Sequence, residues 1–345
     1  MAPKPHIHHA FKHMIPISQL KQLVSGRTFA IGDFDLLTTV GTGTFARVRI
    51  VKMKGSADRH PFALKIFKKN EMLRLKQIEH LRAEKTILQI VEHPFLINLL
   101  STFQDDYRLF FLLEYVVGGE LMGHLRKQGR LANDHAKFYC SEVILAFQYL
   151  HSMKICYRDL KPENVLIDYN GHMKLCDFGF SKIIVDVTFT LGGTPDYLAP
   201  EMIQGTGHGV QVDWWALGVF TFELLAGYPP FGDESPFATY QRVLNMKMAW
   251  PRHFDVKAKD LIKKLLTVEV DQRCGCGKAG AEEIKRHKWF KGNDWDVVYN
   301  RGMNAPFLPD VRSLDDTSMF DVFPESTEGV GPPISKASAD IFADL

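Results

Sequence analysis

Tyr157-Arg158-Asp159-Leu160-Lys161-Pro162-Glu163-Asn164 constrains this chain more than any other stretch. Within six residues it places a carboxylate (Asp159), an ammonium (Lys161) and a carboxamide (Asn164), and Asp177-Phe178-Gly179 follows thirteen residues after Asn164. Transfer of a phosphoryl group from ATP to a hydroxyl needs these groups: a base for the hydroxyl proton, a cation for the travelling phosphate and oxygen ligands for Mg²⁺. Asp159 is the candidate base and Lys161 the phosphate cation. Asn164 and Asp177 are the candidate metal ligands. Mg²⁺ usually takes one or two side-chain oxygens and completes its shell with substrate phosphates and water, so two protein oxygens suffice.

At 345 residues the chain exceeds what one hydrophobic core commonly spans, which suggests two lobes. Its 46% hydrophobic and 24% charged content is that of an ordinary globular protein. A formal charge of +2 gives no bulk reason to expect nucleic-acid binding. Five cysteines, an odd number without a secretory signal, fit a reducing compartment and predict a cytoplasmic or nuclear location. Cys274-Gly275-Cys276 is too tightly spaced for a zinc knuckle and lacks a second pair, so reduced thiols are expected there. Membrane crossing is not expected, because no run of about 18 apolar residues occurs. N-myristoylation is not expected either, because Ala2 stands where a glycine is required. His6, His8, His9 and His13 read as a disordered leader.

Residues 1–33 are weakly patterned, with a short helix expected near Ile17–Val24. Strand patterning begins at Phe34. Phe34–Val40 leads into Gly41-Thr42-Gly43-Thr44-Phe45-Ala46, and Arg47–Val51 reads as the returning strand. A dinucleotide-binding turn would open a helix at this point, so that alternative fails. Phe62–Phe67 is a third strand, Glu71–Val91 a helix, and Phe95–Gln104 and Arg108–Tyr115 complete an antiparallel sheet of about five strands. After Gly118-Gly119 the chain becomes helical, with His135–Met153, Asp213–Leu225 and Val256–Leu266 as buried-helix candidates. From about Gly292 it reads as an extended tail.

Glycines at 41 and 43 let backbone N–H groups approach phosphates, although a hairpin turn alone would explain them. Lys65, in Ala63-Leu64-Lys65-Ile66, can reach the α- and β-phosphates if Glu84 on the following helix holds it. With the loop and Asp177 these residues form an ordered set that chance seldom assembles.

On these motifs the chain resembles the eukaryotic protein kinases of the AGC group. Within that group it is most similar to the catalytic subunits of cAMP-dependent protein kinases. The closer likeness rests on Tyr157-Arg158-Asp159, Asp177–Lys182, Leu191–Glu201, Asp213–Gly218, Ala226–Phe231 and His287–Phe290. It implies an α+β, two-lobed kinase fold over 34–290, with a β-rich small lobe (34–116), a helical large lobe (117–290), an N-terminal extension (1–33) and a C-terminal tail (291–345). It implies catalytic roles for Asp159, Lys161, Lys65 and Glu84, and ATP and Mg²⁺ as cofactors. The implied ATP-contact set is Gly41, Thr42, Gly43, Thr44, Phe45, Val48, Ala63, Lys65, Glu114, Val116, Glu120, Lys161, Asn164, Leu166, Asp177 and Phe320. Glu201 and Arg273 should form a buried pair, and Asp213 should hold the backbone of the catalytic loop.

The resemblance also implies a switch. Thr190 is the expected phosphorylation site, with Arg158, Lys182 and His80 as phosphate ligands, since a phosphate's roughly −1.5 to −2 charge gathers cations. Glu120, Glu163, Glu223 and Asp196, the last in place of a glutamate, are the expected readers of substrate arginines, because a carboxylate takes a guanidinium bidentately. Leu191, Pro195 and Leu198 should receive an apolar residue after the acceptor. The expected substrates are proteins with an Arg-Arg-x-Ser/Thr-apolar motif, and the expected partner is a cAMP-binding regulatory subunit meeting Phe189 and Leu191. At the chain's end Phe342 matches a docking aromatic, while Leu345 replaces a second one. Ala46 stands for a third loop glycine, which predicts a perturbed but working loop, and Gly192 stands where the subfamily has cysteine. The rival readings are an AGC kinase without cAMP control and a non-catalytic scaffold with the kinase fold.

Overall fold

The computed structural model describes residues 15–43, 46–56, 60–325 and 334–345. Thr44, Phe45 and the four leader histidines lie outside them. Helix α1 (Ile17–Val24) precedes one antiparallel sheet built from β1 (Phe34–Thr42), β2 (Ala46–Met53), β3 (Pro61–Lys68), β4 (Leu99–Gln104) and β5 (Arg108–Glu114), in the order β1-β2-β3-β5-β4. Side chains alternate across a strand, and both faces of this sheet are covered. Phe62 and Leu64 of β3 and Phe110 and Leu112 of β5 point outward, under Leu20 and Val24 of α1 together with Phe29, Phe34 and Phe103. Ala63 and Phe67, with Leu109, Phe111 and Leu113, point inward toward the main core. Lys65 shares their parity, so the strand itself delivers its ammonium to the inner side.

In the small lobe two sequence expectations need correction. The single helix expected over Glu71–Val91 is two helices, α2 (Lys69–Arg74) and α3 (Ile78–Ile90). Between them Lys76 is left-handed (φ 55°), and the N–H of Gln77 bonds back to the carbonyl of Met72 at 2.9 Å. A left-handed residue ends a helix whatever the apolar periodicity around it, and no glycine or proline marks this one. The strand expected over Phe95–Gln104 begins only at Leu99. Phe95, Leu96 and Ile97 are instead buried where the lobes meet: Ile97 N–H donates to Leu175 O, and Leu175 N–H to Phe95 O, each at 2.9 Å.

The large lobe contains α4 (Leu121–Gln128), α5 (Asn133–Ser152), α6 (Pro200–Gln204), α7 (Val212–Ala226), α8 (Pro236–Leu244) and α9 (Val256–Leu265). Short strands β6 (Ile155–Cys156), β7 (Val165–Ile167), β8 (Met173–Leu175) and β9 (Lys182–Ile183) carry the loops between α5 and α6. All of α7 except Ala226 is buried, as expected of a helix that is apolar all round. The tail is not simply extended, since residues Trp295–Tyr299 form a helical turn. Beyond it the tail returns to the small lobe, where the Tyr115 hydroxyl donates to Asp316 O (2.6 Å) and Lys52 pairs with Asp315 (2.5 Å). Its end is docked: Phe342 and Leu345 are buried, Gln104 donates to Phe342 O (2.9 Å), and Lys85 donates to Leu345 O (2.8 Å). Among the described residues no helix is long and apolar enough to cross a membrane.

Candidate active site

A cleft of about 590 Å³ lies between the sheet and the large lobe. From above it is lined by Gly41, Thr42, Gly43, Val48, Ala63 and Lys65, and from the segment joining the lobes by Glu114, Val116 and Glu120. From below it is lined by Asp159, Lys161, Glu163, Asn164, Leu166 and Asp177, and from the tail by Phe320. Every expected ATP-contact residue within the described range therefore faces one cavity. The Glu114 carboxylate accepts a hydrogen bond from Asn98 Nδ2 (2.7 Å) and pairs with Lys174 (2.9 Å).

The inward parity of β3 brings Lys65 Nζ to 2.6 Å from Glu84 Oε1 and 3.2 Å from Asp177 Oδ1. Burial alone would lower the Lys65 ammonium, but the Asp177 and Glu84 carboxylates outweigh it, so its pKa is raised and the charge persists. The Lys65 charge in turn is the main reason that Asp177 sits below the usual carboxylate range; the Gly179 N–H adds a hydrogen bond at 3.1 Å. The Asp177 side chain is 44% exposed while that of Glu84 is 5% exposed, so Asp177 faces the cavity and Glu84 backs the lysine.

Arg158 holds a left-handed backbone (φ 66°), costly for a side chain of this size. Fully buried Asp213, at the start of α7, accepts the N–H groups of Tyr157 (2.9 Å) and Arg158 (2.8 Å) and a bond from His151 Nε2 (2.8 Å). The next residue, Asp159, is thereby presented to the cleft. Asn164 Nδ2 donates to its Oδ2 (2.7 Å) and to its carbonyl (2.8 Å). Lys161 Nζ lies 3.0 Å from the same Oδ2, and Thr194 Oγ1 donates to Oδ1 at 2.9 Å. Burial raises the Asp159 pKa, opposed by the Lys161 charge.

The segment after Asp177 crosses this loop closely. Gly193 has φ 119°, and a Cβ there would sit 2.5 Å from Arg158 O, so the position requires glycine. A Cβ on Gly192 would lie 2.9 Å from the Phe180 ring. Lys182 Nζ donates to Thr188 Oγ1 (2.9 Å) and Thr190 Oγ1 (3.4 Å), and Arg158 Nη1 donates to the Thr190 carbonyl (3.0 Å). His80 is bonded to Gln77 (2.7 Å); burial, then the nearby Arg158 and Lys182 charges, hold its imidazole below the usual range. Two of the expected ligands, Arg158 and Lys182, thus meet Thr190, while His80 is turned to Gln77, the residue just before its helix. Glu201 and Arg273 form the expected buried pair, at 2.7 and 2.8 Å.

The candidate arginine readers are coupled. Burial pushes Glu223 up to about 7, with Glu163 and Asp196 adding to the rise and a Tyr197 hydrogen bond opposing it. Burial raises Glu120 too, with Glu163 as the next contributor, and burial raises Asp196. Leu191 is exposed, Pro195 half-buried and Leu198 buried along the segment that follows Thr190.

Residues 34–290 match the family model described as "Protein kinase domain". The chain belongs to the protein kinase family. The kinase is 50% identical over 317 residues to the human "cAMP-dependent protein kinase catalytic subunit PRKX", covering 92% of this chain and 88% of that protein. It is 49% identical over 316 residues to the Mus musculus protein of the same name, covering 92% of this chain and 88% of that one. It is also 48% identical over 313 residues to the Dictyostelium discoideum "cAMP-dependent protein kinase catalytic subunit", covering 91% of this chain and 48% of that one. It is a serine/threonine protein kinase of the AGC group.

Thr194, which no motif marks, belongs to the kinase's site. Thr194 bridges both key groups, donating to Asp159 and accepting from Lys161 Nζ at 2.8 Å. Its only local signal is the Gly-Thr-Pro setting, 35 residues beyond Asp159. Cys176 and Phe180 also line the cleft without having been singled out.

Proposed function

We propose that this kinase transfers the γ-phosphate of ATP, with Mg²⁺, to serine or threonine in proteins bearing arginines before the acceptor, and that a cAMP-binding regulatory subunit restrains it. The observation that carries the reading is the placing of Lys65, backed by Glu84, opposite Asp159, Lys161 and Asp177 across one cleft, with Thr194 bonded to Asp159. The donors fit Mg²⁺. Asp177 faces the cavity, Asn164 has its amide nitrogen committed to Asp159, and among the described residues no cluster of three His, Cys, Asp or Glu is built for another metal. When bound, Mg²⁺ neutralises charge on the phosphates.

Asp159 accepts the proton of the substrate hydroxyl as the oxygen attacks the γ-phosphorus and ADP leaves. Lys161, beside Asp159, neutralises the transferred group, and Lys65, held by Glu84, steadies the remaining phosphates. Thr194 and Asn164 fix the Asp159 carboxylate between them. Glu120, Glu163, Glu223 and Asp196 take the substrate arginines, and Leu191, Pro195 and Leu198 the apolar residue after the acceptor. A phosphate on Thr190 would draw Arg158 and Lys182 together and so brace the loop carrying Asp159.

Relatives that are catalytic subunits of cAMP-dependent protein kinases support cAMP control, as does the exposure of Phe189 (67%) and Leu191 (55%) beside Thr190. Mg·ATP-dependent phosphorylation of an Arg-Arg-x-Ser-Leu peptide, lost in folded Asp159→Ala, tests the chemistry. Its absence in the folded wild type would favour the scaffold reading. Capture of a cAMP-binding regulatory subunit, released by cAMP, tests the control. Failure to bind or to release would leave an AGC kinase without cAMP control.

A further inference from the structure

The tail makes one contact that coincides with a defect in the sheet. Around Thr39 the β1–β2 register slips twice, from Leu36↔Val51 to Thr39↔Arg49 and then to Gly41↔Val48. Strand β1 thus carries an extra residue on each side of Thr39, and bulges of this kind take backbone groups out of the ladder. The tail serves those groups. Glu325 Oε1 accepts the Thr39 N–H (2.8 Å), and Oε2 accepts the Thr39 hydroxyl (3.0 Å), although Thr39 itself is 1% exposed. Arg49 Nε donates to the bulged Leu37 carbonyl (3.1 Å), and Arg49 Nη2 lies 3.3 Å from Glu325. Arg47 Nη1 donates both to Thr39 Oγ1 (3.1 Å) and to Pro324 O (2.8 Å).

Both ends of this clip lead into the nucleotide cleft. Val40 and Gly41, directly after Thr39, line it from the sheet, and Phe320 lines it from the tail. Phe320 also packs 5.9 Å from the Tyr115 ring, in the segment joining the lobes. We propose that Glu325 is a positioning residue for the nucleotide: its carboxylate clips the tail to the bulged strand, so that the glycine turn and Phe320 close on the cleft at one fixed separation. The inference rests on the reading of this cleft as the ATP site. Glu325 touches neither the reacting groups nor the arginine readers, so its loss should act on nucleotide affinity and leave the chemical step intact.

The test compares wild type, Glu325→Gln and Glu325→Ala. Their KM values for ATP and for an Arg-Arg-x-Ser-Leu peptide are measured, together with amide hydrogen exchange of residues 36–42 and 315–324 in nucleotide-free protein. Removing a charge-assisted pair that is half exposed should raise KM for ATP about fivefold in Glu325→Ala and less in Glu325→Gln, whose amide oxygen can still accept the Thr39 N–H. The value of kcat and the peptide KM should stay within about twofold, and both segments should exchange faster before any nucleotide is added. Unchanged exchange in Glu325→Ala overturns the clip. Faster exchange with an unchanged KM for ATP overturns its link to the nucleotide. A wild type that shows no Mg·ATP-dependent protection of the cleft would instead remove the reading of the ATP site itself.

Discussion

Asp213→Ala is the perturbation that most directly probes how the catalytic loop is held. The carboxylate is fully buried and accepts two backbone N–H groups, from Tyr157 and from left-handed Arg158, plus a bond from His151. A buried donor left without a partner costs about 1–3 kcal/mol, so two orphaned N–H groups cost roughly 2–6 kcal/mol. Relaxation of Arg158 out of its left-handed conformation returns about 1–3 kcal/mol. The net loss of stability is therefore roughly 2 kcal/mol, read as a shift of the urea midpoint without a change in slope. That same relaxation moves Asp159, the next residue, and a misplacement of about 1 Å can cost a hundredfold in rate. The variant should lose about 10²-fold or more in kcat on an Arg-Arg-x-Ser-Leu peptide at a temperature where it remains folded. Asp213→Asn, which keeps one acceptor but turns an NH₂ toward the second donor, should fall between. A destabilised Asp213→Ala with wild-type kcat would show that the strained Arg158 does not need this clamp, and the reasoning would fail.

Glu201→Ala leaves Arg273, whose side chain is 0% exposed, without its carboxylate, and should cost about 3–5 kcal/mol in a denaturation experiment. Glu223, with a pKa pushed up to about 7, is largely neutral at pH 6 and largely charged at pH 8; KM for arginine peptides should therefore fall as pH rises across that window, and Glu223→Gln should flatten the trend. Phe342→Ala removes a fully buried ring from the docked tail end and should cost roughly 3 kcal/mol if unfolding is cooperative, or free the tail locally to proteolysis if it is not. A peptide spanning residues 184–194 should be a poor substrate, because Val187 and Thr188 stand where arginines are read; placing arginines at both positions should make it a good one, and equal rates would contradict the assignment of the acids.

Much of the site was legible in the sequence because its chemistry is carried by residue types in local order. The spacing from Asp159 to Asn164 and on to Asp177 names the groups, and the fold puts them in contact: Lys65 is paired with Glu84, and both Asn164 and Lys161 lie on Asp159. The helix over Glu71–Val91 was misread for a reason equally physical. Apolar periodicity continues across Leu75-Lys76-Gln77, and the break is a backbone angle at a lysine, a residue type that carries no stop signal. The early start given to β4 has the same origin, since Phe95, Leu96 and Ile97 are as apolar as a strand but are buried against β8.

The sequence by itself determined which chemical groups are present, their order, and that Lys65 shares a strand face with Ala63 and Phe67, because a strand's period of two is local. Tertiary structure alone decided what holds those groups still. Thr194 reaches Asp159 across 35 residues, Asp213 clamps the loop across 55 and 56, and Glu325 meets Thr39 across 286. Each is a single hydrogen-bonding side chain whose partner is chosen by how the lobes and tail pack, and no periodicity or spacing along the chain records that choice.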